Sequence, residues 1–251
     1  MTAYAETAPR LALSRPGIGR LANVELRKMA DTRAGFWLLL TIGLLIAAIT
    51  AIVVIWGDTA DQNLAGIFGD TIEITSVLLP VLGILSVTSE WSQRTGLATF
   101  SLVPERERVI AAKVVAAVAL TVIAVAACLV AAVVGNVFAG GSWSLGLGDI
   151  GRGLVYELIG VLVGVAFGLL FLSSPLAIVL YFVLPTAWAI LGSISALEAP
   201  AEWLDLSVTM APLVEASMSG REWAQLGTSV ALWVWALLAI GIVRLQRSEL
   251  K

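Results

Sequence analysis

Residues 36–56 read FWLLLTIGLLIAAITAIVVIW, an uncharged run opened by Phe36-Trp37 and closed by Trp56. Wound as a helix at about 1.5 Å per residue, it matches the roughly 30 Å of a bilayer's hydrocarbon. Tryptophans at both ends suit the two membrane–water interfaces. The rest of the chain follows suit. Of 251 residues, 59% are hydrophobic and 13% charged, with mean hydropathy +0.96. Soluble domains carry about 25% charged residues. A globule in water has too little polar surface to cover so much apolar chain, which makes lipid the expected solvent.

Six segments are long and apolar enough to span: about 35–56, 70–88, 114–138, 153–172, 175–195 and 226–243. The fourth and fifth are separated only by Ser173 and Ser174. With Ser174 as N-cap and Pro175 in the first turn, they form a tight helical hairpin. An even number of spans puts both termini on one side. Placing that side in the cytoplasm puts 13 of the 15 Lys and Arg there, leaving only Arg152 and Arg221 outside. The outer loops then hold the acids Asp58, Asp61, Asp149, Glu198, Glu202, Asp205, Glu215 and Glu222.

The segment 1–34, with no apolar core, is not expected to be a signal peptide. Within it, 17–34 places Ile18, Leu21, Ala22, Leu26 and Met29 on one helical side. Arg20, Asn23, Arg27 and Asp31 fall on the other. This is the pattern of an amphipathic helix lying in the inner interface. Glu25 falls on its apolar side, where a bare carboxylate is costly, so Lys28 at i+3 or a neighbouring element is its expected partner. The outer loop 196–225 mixes Trp203, Trp223, Leu204 and Leu213 with acids and reads as short surface helices.

Between spans two and three lies 89–113, SEWSQRTGLATFSLVPERERVIAAK, with seven charged residues, Trp91, Phe100 and Leu102. Gly96 ends one short helix there and Pro104 opens another. On residue chemistry alone it is either a docking element for a cytoplasmic protein or a solvated loop rich in charge. Taken with the VELRKMADTR helix and the six spans, however, the pattern SEW(S)QRTG…P-E-R…K resembles the permease subunit of ABC-2 type (type V) ABC transporters. The likeness covers essentially the whole chain, and Glu90, Trp91, Arg94, Thr95 and Gly96 carry its most specific part; Pro104, Arg106 and Lys113 follow at the expected places, and Phe100 adds an apolar contact to the same coupling segment.

That resemblance implies an all-α integral membrane protein with six transmembrane helices after an amphipathic elbow helix containing Glu25, Arg27 and Lys28. It implies that 89–113 is the coupling element seated in a groove of an ATP-binding subunit. It also implies a second permease copy or paralogue, a bacterial cytoplasmic membrane location with both termini inside, and export of a drug, antibiotic or lipid-like compound. Where many relatives place a basic residue or Asn after span four, this chain has Phe171-Leu172-Ser173-Ser174.

The chain itself is expected to catalyse nothing and to hold no cofactor. Lys28, Lys113 and Lys251 follow Arg27, Ala112 and Leu250, so no Gly-Lys phosphate loop exists here, and ATP and Mg belong on the partner subunit. With no His and one Cys, Cys128, neither a zinc-type site nor an intrachain disulfide is expected; nucleic acid is not an expected partner.

Span four carries Gly160, Gly164 and Gly168, a stripe that lets another helix approach closely, in this chain or in a second copy. Glu157 lies one turn into that span with Arg152 as its expected partner. Glu73 lies near the outer start of span two, and Pro80 breaks the backbone ladder seven residues on. Glu73 is either an interfacial acid or part of an outward vestibule that greets a cationic substrate. Glu73 and Glu157 would be the titrating groups of a rival reading, a proton-coupled secondary transporter. A non-transporting membrane signalling subunit is the other rival.

Overall fold

The computed structural model describes residues 16–92, 105–192, 194, 197–215 and 218–247. Of these residues 88% are helical, and none is in a strand. The order is α1 (Ile18–Asp31), α2 (Arg33–Trp56), α3 (Leu64–Ser92), α4 (Arg106–Ala139), α5 (Leu147–Phe171) and α6 (Ser174–Gly192). Three short helices follow, α7 (Glu198–Leu204), α8 (Leu206–Met210) and α9 (Pro212–Glu215). The last long helix starts as α10 (Gly220–Val230), passes through a π-helical stretch, Ala231–Ala236, and ends as α11 (Leu237–Arg247). Among the described residues six helices are long and apolar enough to cross a membrane: α2 to α6 and the continuous Gly220–Arg247. The chain has the architecture of a multi-pass membrane protein.

The helices overrun the hydropathic segments. Hydropathy marks 70–88 and 114–138, yet α3 begins at Leu64 and α4 at Arg106. Backbone hydrogen bonding continues through polar residues, whereas a hydropathy window stops at them. The 34 residues of α4 measure about 51 Å, well beyond the hydrocarbon thickness.

α3 and α5 form the core. In α3 61% of the apolar window is buried, against 6% in α6. The glycines explain the closeness: a Cβ on Gly164 would come within 2.2 Å of the Pro80 carbonyl oxygen, and one on Gly168 within 3.0 Å of Ile84 O. Gly160 faces the Pro80 ring, and Gly83 of α3 reciprocates against Val161 O. The stripe therefore packs inside the chain.

Three turns set the topology. Thr32 separates α1 from α2, its hydroxyl accepting a hydrogen bond from Gly35 N at 3.1 Å. Gly140 ends α4 in the left-handed region at φ 69°. Leu172 ends α5 there too, at φ 52°, a conformation that costs a non-glycine residue about 1 kcal/mol or more. The expected hairpin between α5 and α6 is present, with one correction. Ser174 is already helical, and its hydroxyl bonds Thr88 Oγ1 at 2.7 Å rather than capping α6.

One end of the bundle gathers α1, the end of α3, the start of α4, the α5–α6 turn and the end of α11. Arg108 donates to Pro16 O at 2.9 Å, Gln246 to Glu107 at 3.0 Å, and Arg244 to Leu170 O. The short helices lie at the opposite end. They do more than rest on a surface: Leu213 and Met210 are buried, and Trp233 donates to Leu204 O at 2.7 Å.

Candidate functional site

Two constellations stand out, one at each end of the bundle. The first joins α1, α3 and α4. Lys113 is 4% exposed, and its Nζ lies 2.6 Å from Glu25 Oε2 and 3.3 Å from Glu90 Oε1, donating also to Ser86 O at 2.7 Å. Lys28 completes it, 2.7 Å from Glu25 Oε1 and 2.9 Å from Glu90 Oε1. Glu25 and Glu90 are each 5% exposed. Two acids and two lysines sum to zero charge, which is what allows the group to be buried. Burial draws the Lys28 ammonium down, but the hydrogen bonds and charges of Glu25 and Glu90 outweigh it. The group ends above its ordinary 10.5.

The inward side of α1 carries Ala22, Glu25 and Met29, with Arg20, Asn23 and Arg27 exposed on the other. Ile18, expected on the apolar side, is 45% exposed. Glu25 reaches both partners that its placement on the apolar side calls for, Lys28 and a residue of a neighbouring helix, Lys113.

Within 89–113 the structure turns Glu90 inward, into this cluster, rather than out toward a partner. Trp91 is partly buried and packs against the core. Arg94, Thr95, Gly96, Phe100 and Pro104 lie outside the described residues, as does the side chain of Arg106. Both ends of the segment are therefore fixed by the same buried ion cluster: Glu90 before it and Lys113 after it.

Glu157 departs from its expected setting. It is 1% exposed, and among the described residues neither carboxyl oxygen has a hydrogen-bond partner. Arg152 does not serve it, because that guanidinium bonds Asp149 and, at 3.3 Å, Leu213 O. Position is the reason. Arg152 is on the half-exposed face of α5 that meets α9, while Glu157 is on the face buried in the bundle.

The second constellation is a cavity of about 720 Å³ between α3, α5, α6 and the π-helical stretch, bounded by α8 at the end of the bundle that holds the short helices. Asp70, Glu73 and Asp205 line it, with aromatic walls from Tyr156, Phe167, Tyr181, Trp188 and Trp233. Glu73 thus borders an open space, and Pro80 does not line it. Phe167 anchors the aromatics: Tyr181 meets it edge-on at 6.0 Å and Trp233 stacks at 6.4 Å. The extra residue per turn of a π-helix shifts register, and such insertions recur at functional sites. Among the described residues no group of His, Cys, Asp and Glu suits a metal ion.

No protein-family model matches the chain, and comparison with characterised proteins finds no match. Its function has to be read from its own residues.

The sequence pointed to Glu25, Lys28 and Glu90, and its signal for Lys113 was a lone cation flanked by apolar residues. Nothing in the sequence marked Trp233, Phe167 and Tyr181 as one cluster, because three separate helices supply them.

Proposed function

We propose that this chain is the membrane-spanning permease subunit of an ATP-driven exporter of the ABC-2 type. It would move a hydrophobic or amphipathic compound across a bacterial cytoplasmic membrane. The observation that carries the reading is the buried Glu25–Lys28–Glu90–Lys113 cluster. A solvated loop needs no fixed ends. A segment that passes movement from a partner to the spans does, since slack at its base would absorb the displacement. Here α3 enters and α4 leaves the 89–113 segment through one ion cluster whose Glu25, Glu90 and Lys113 are buried, and α1 is fastened to it.

On this reading α1 is the elbow helix in the inner interface, and both termini are cytoplasmic. Trp91 and the basic residues beyond it meet an ATP-binding subunit, which holds ATP and Mg. A second copy or a paralogue completes the translocation unit. ATP-driven closure of the ATPases moves the coupling segment, and α3 and α5, packed backbone to backbone through the glycine stripe, move with it.

Coexpression with the ATP-binding subunit and pull-down tests this. Trp91→Ala should weaken the complex by about 2 kcal/mol or more, as expected for a buried aromatic anchor. Arg94→Ala should cost less and depend on salt. Unchanged assembly in both variants would leave 89–113 a solvated loop and remove the reading's main support.

The unpartnered Glu157 carboxyl favours a second reading, proton-coupled transport. That reading requires Glu157→Gln to abolish transport driven by a pH gradient in liposomes holding this chain alone. The exporter reading expects no transport there in either protein.

A further inference from the structure

We infer that the cavity bounded by α3, α5, α6 and the π-helical stretch binds an amphipathic organic cation, its charge at the acidic mouth and its apolar body against the aromatic floor. The volume, about 720 Å³, suits a drug-sized ligand. Its charge is one-sided. Asp70, Glu73 and Asp205 line it, and no Lys or Arg does. Among the described residues none of the three carboxylates takes part in a salt bridge, and the charges acting on Asp70 are those of Asp61 and Glu73, both negative. Asp205 is buried and caps α8 by accepting from Ser207 N at 2.9 Å, whereas Asp70 and Glu73 stand at the mouth beside one another with no cation of the described residues to offset them, so a visiting cation meets both.

The acids and rings are also graded along the axis. Glu73 is exposed near the outer end of α3, while Phe167 sits four residues from the inner end of α5. Tyr156 and Trp188 stand at the level of the acids, and from Tyr156 to Phe167 the helix rises about 16 Å, so a ligand meets carboxylates and two rings first and the Phe167–Tyr181–Trp233 cluster below. Ring faces attract cations and apolar groups alike. The Trp188 indole N–H adds a specific cue. That nitrogen is buried on the cavity wall with no partner among the described residues, so a ligand carrying a carbonyl or ether acceptor gains a hydrogen bond that a plain cation does not. Gly69 opens the space: a Cβ built there meets nothing within 4 Å.

Read as cargo, this ligand rests on the exporter proposal; the binding itself needs no ATPase and is tested without one. The protein is placed in phosphatidylcholine nanodiscs and tetraphenylphosphonium is titrated by equilibrium dialysis, with empty discs subtracted. Tetraphenylborate, of the same shape and opposite charge, serves as control. Saturable binding of one phosphonium per chain is expected, with none for the borate. Asp70→Asn/Glu73→Gln should raise Kd at least tenfold, and Gly69→Leu should do the same by filling the space. Neither should alter the elution profile or melting, because Glu73 is exposed, Asp70 half-buried and Gly69 faces the void. Trp188→Phe should weaken rhodamine 6G, a cation with an ester carbonyl, several-fold more than it weakens tetraphenylphosphonium. Equal binding of the two tetraphenyl ions, or a wild-type Kd in the folded acid variant, would overturn the inference. A P-loop partner that fails to copurify would sink the exporter reading and leave these results standing.

Discussion

Replacing Lys113 with Met removes the innermost cation of the buried cluster while keeping an unbranched side chain of similar length. Glu25 loses its 2.6 Å contact, Glu90 its 3.3 Å contact and Ser86 O its donor. Of the cluster's two lysines only Lys28, 41% exposed at its side chain, then remains beside two carboxylates that are each 6% exposed. Removing one partner of a buried pair costs about 3–5 kcal/mol, mostly the penalty of the charge left behind. Glu25→Gln should cost a comparable amount, since it leaves Lys113 and Lys28 with one carboxylate. The double variant restores neutrality: Glu90 and Lys28 remain, 2.9 Å apart. It should be no less stable than either single variant, which puts the interaction at about 3 kcal/mol or more, the upper end of what neighbouring residues show. Unfolding of the four proteins in mixed micelles against increasing dodecyl sulfate, followed by Trp fluorescence, measures the cycle. Losses that simply add would mean the four groups do not act as a unit, and the fixed base of the 89–113 segment would be lost with them.

Gly164→Ala should cost about 1–3 kcal/mol or prevent folding, because its Cβ would meet the Pro80 carbonyl, which is backbone and cannot swing aside. Gly151→Ala, whose Cβ meets nothing within 4 Å, should be neutral or slightly stabilising, and thermal melting in detergent compares the two. Single cysteines at Asp61, Ser144 and Glu202 in a Cys128→Ala background should react with an impermeant thiol reagent in whole cells. Those at Ser101 and Ser248 should react only after lysis; labelling of Ser101 from outside would reverse the orientation.

What the sequence revealed divides along physical lines. Hydropathy adds up along the chain, so all six apolar helices were legible, though not the extra turns Leu64–Gly69 ahead of Asp70, nor that the helix opened near Pro104 runs unbroken into span three. The glycine stripe of α5 was visible as a pattern, but the partner helix was not, because the matching Gly83 and Pro80 are local features of α3 with no shared spacing. Charge in an apolar setting was the best pointer to a site. Glu25 on the wrong side of its helix proved to be a cluster member, whereas Lys113, read only as the last residue of the 89–113 pattern, turned out to be the cluster's innermost cation. The same logic failed for Glu157, where the nearest cation in sequence, Arg152, bonds Asp149 and the α9 backbone instead. The aromatic cavity was not legible at all. Its walls come from α3, α5, α6 and a π-helical stretch whose register shift has no marker in ALWVWA.

The central claim is that this chain works with a separate ATPase. Its most direct test is to tag the chain in its native cells, solubilise the membranes in mild detergent and measure the stoichiometry of what copurifies. The account predicts a P-loop ATPase in equimolar amount, lost from the Trp91→Ala chain while that variant still reaches the membrane. A chain that purifies intact and folded with no P-loop ATPase, under conditions that preserve other membrane complexes of the same cells, would contradict it.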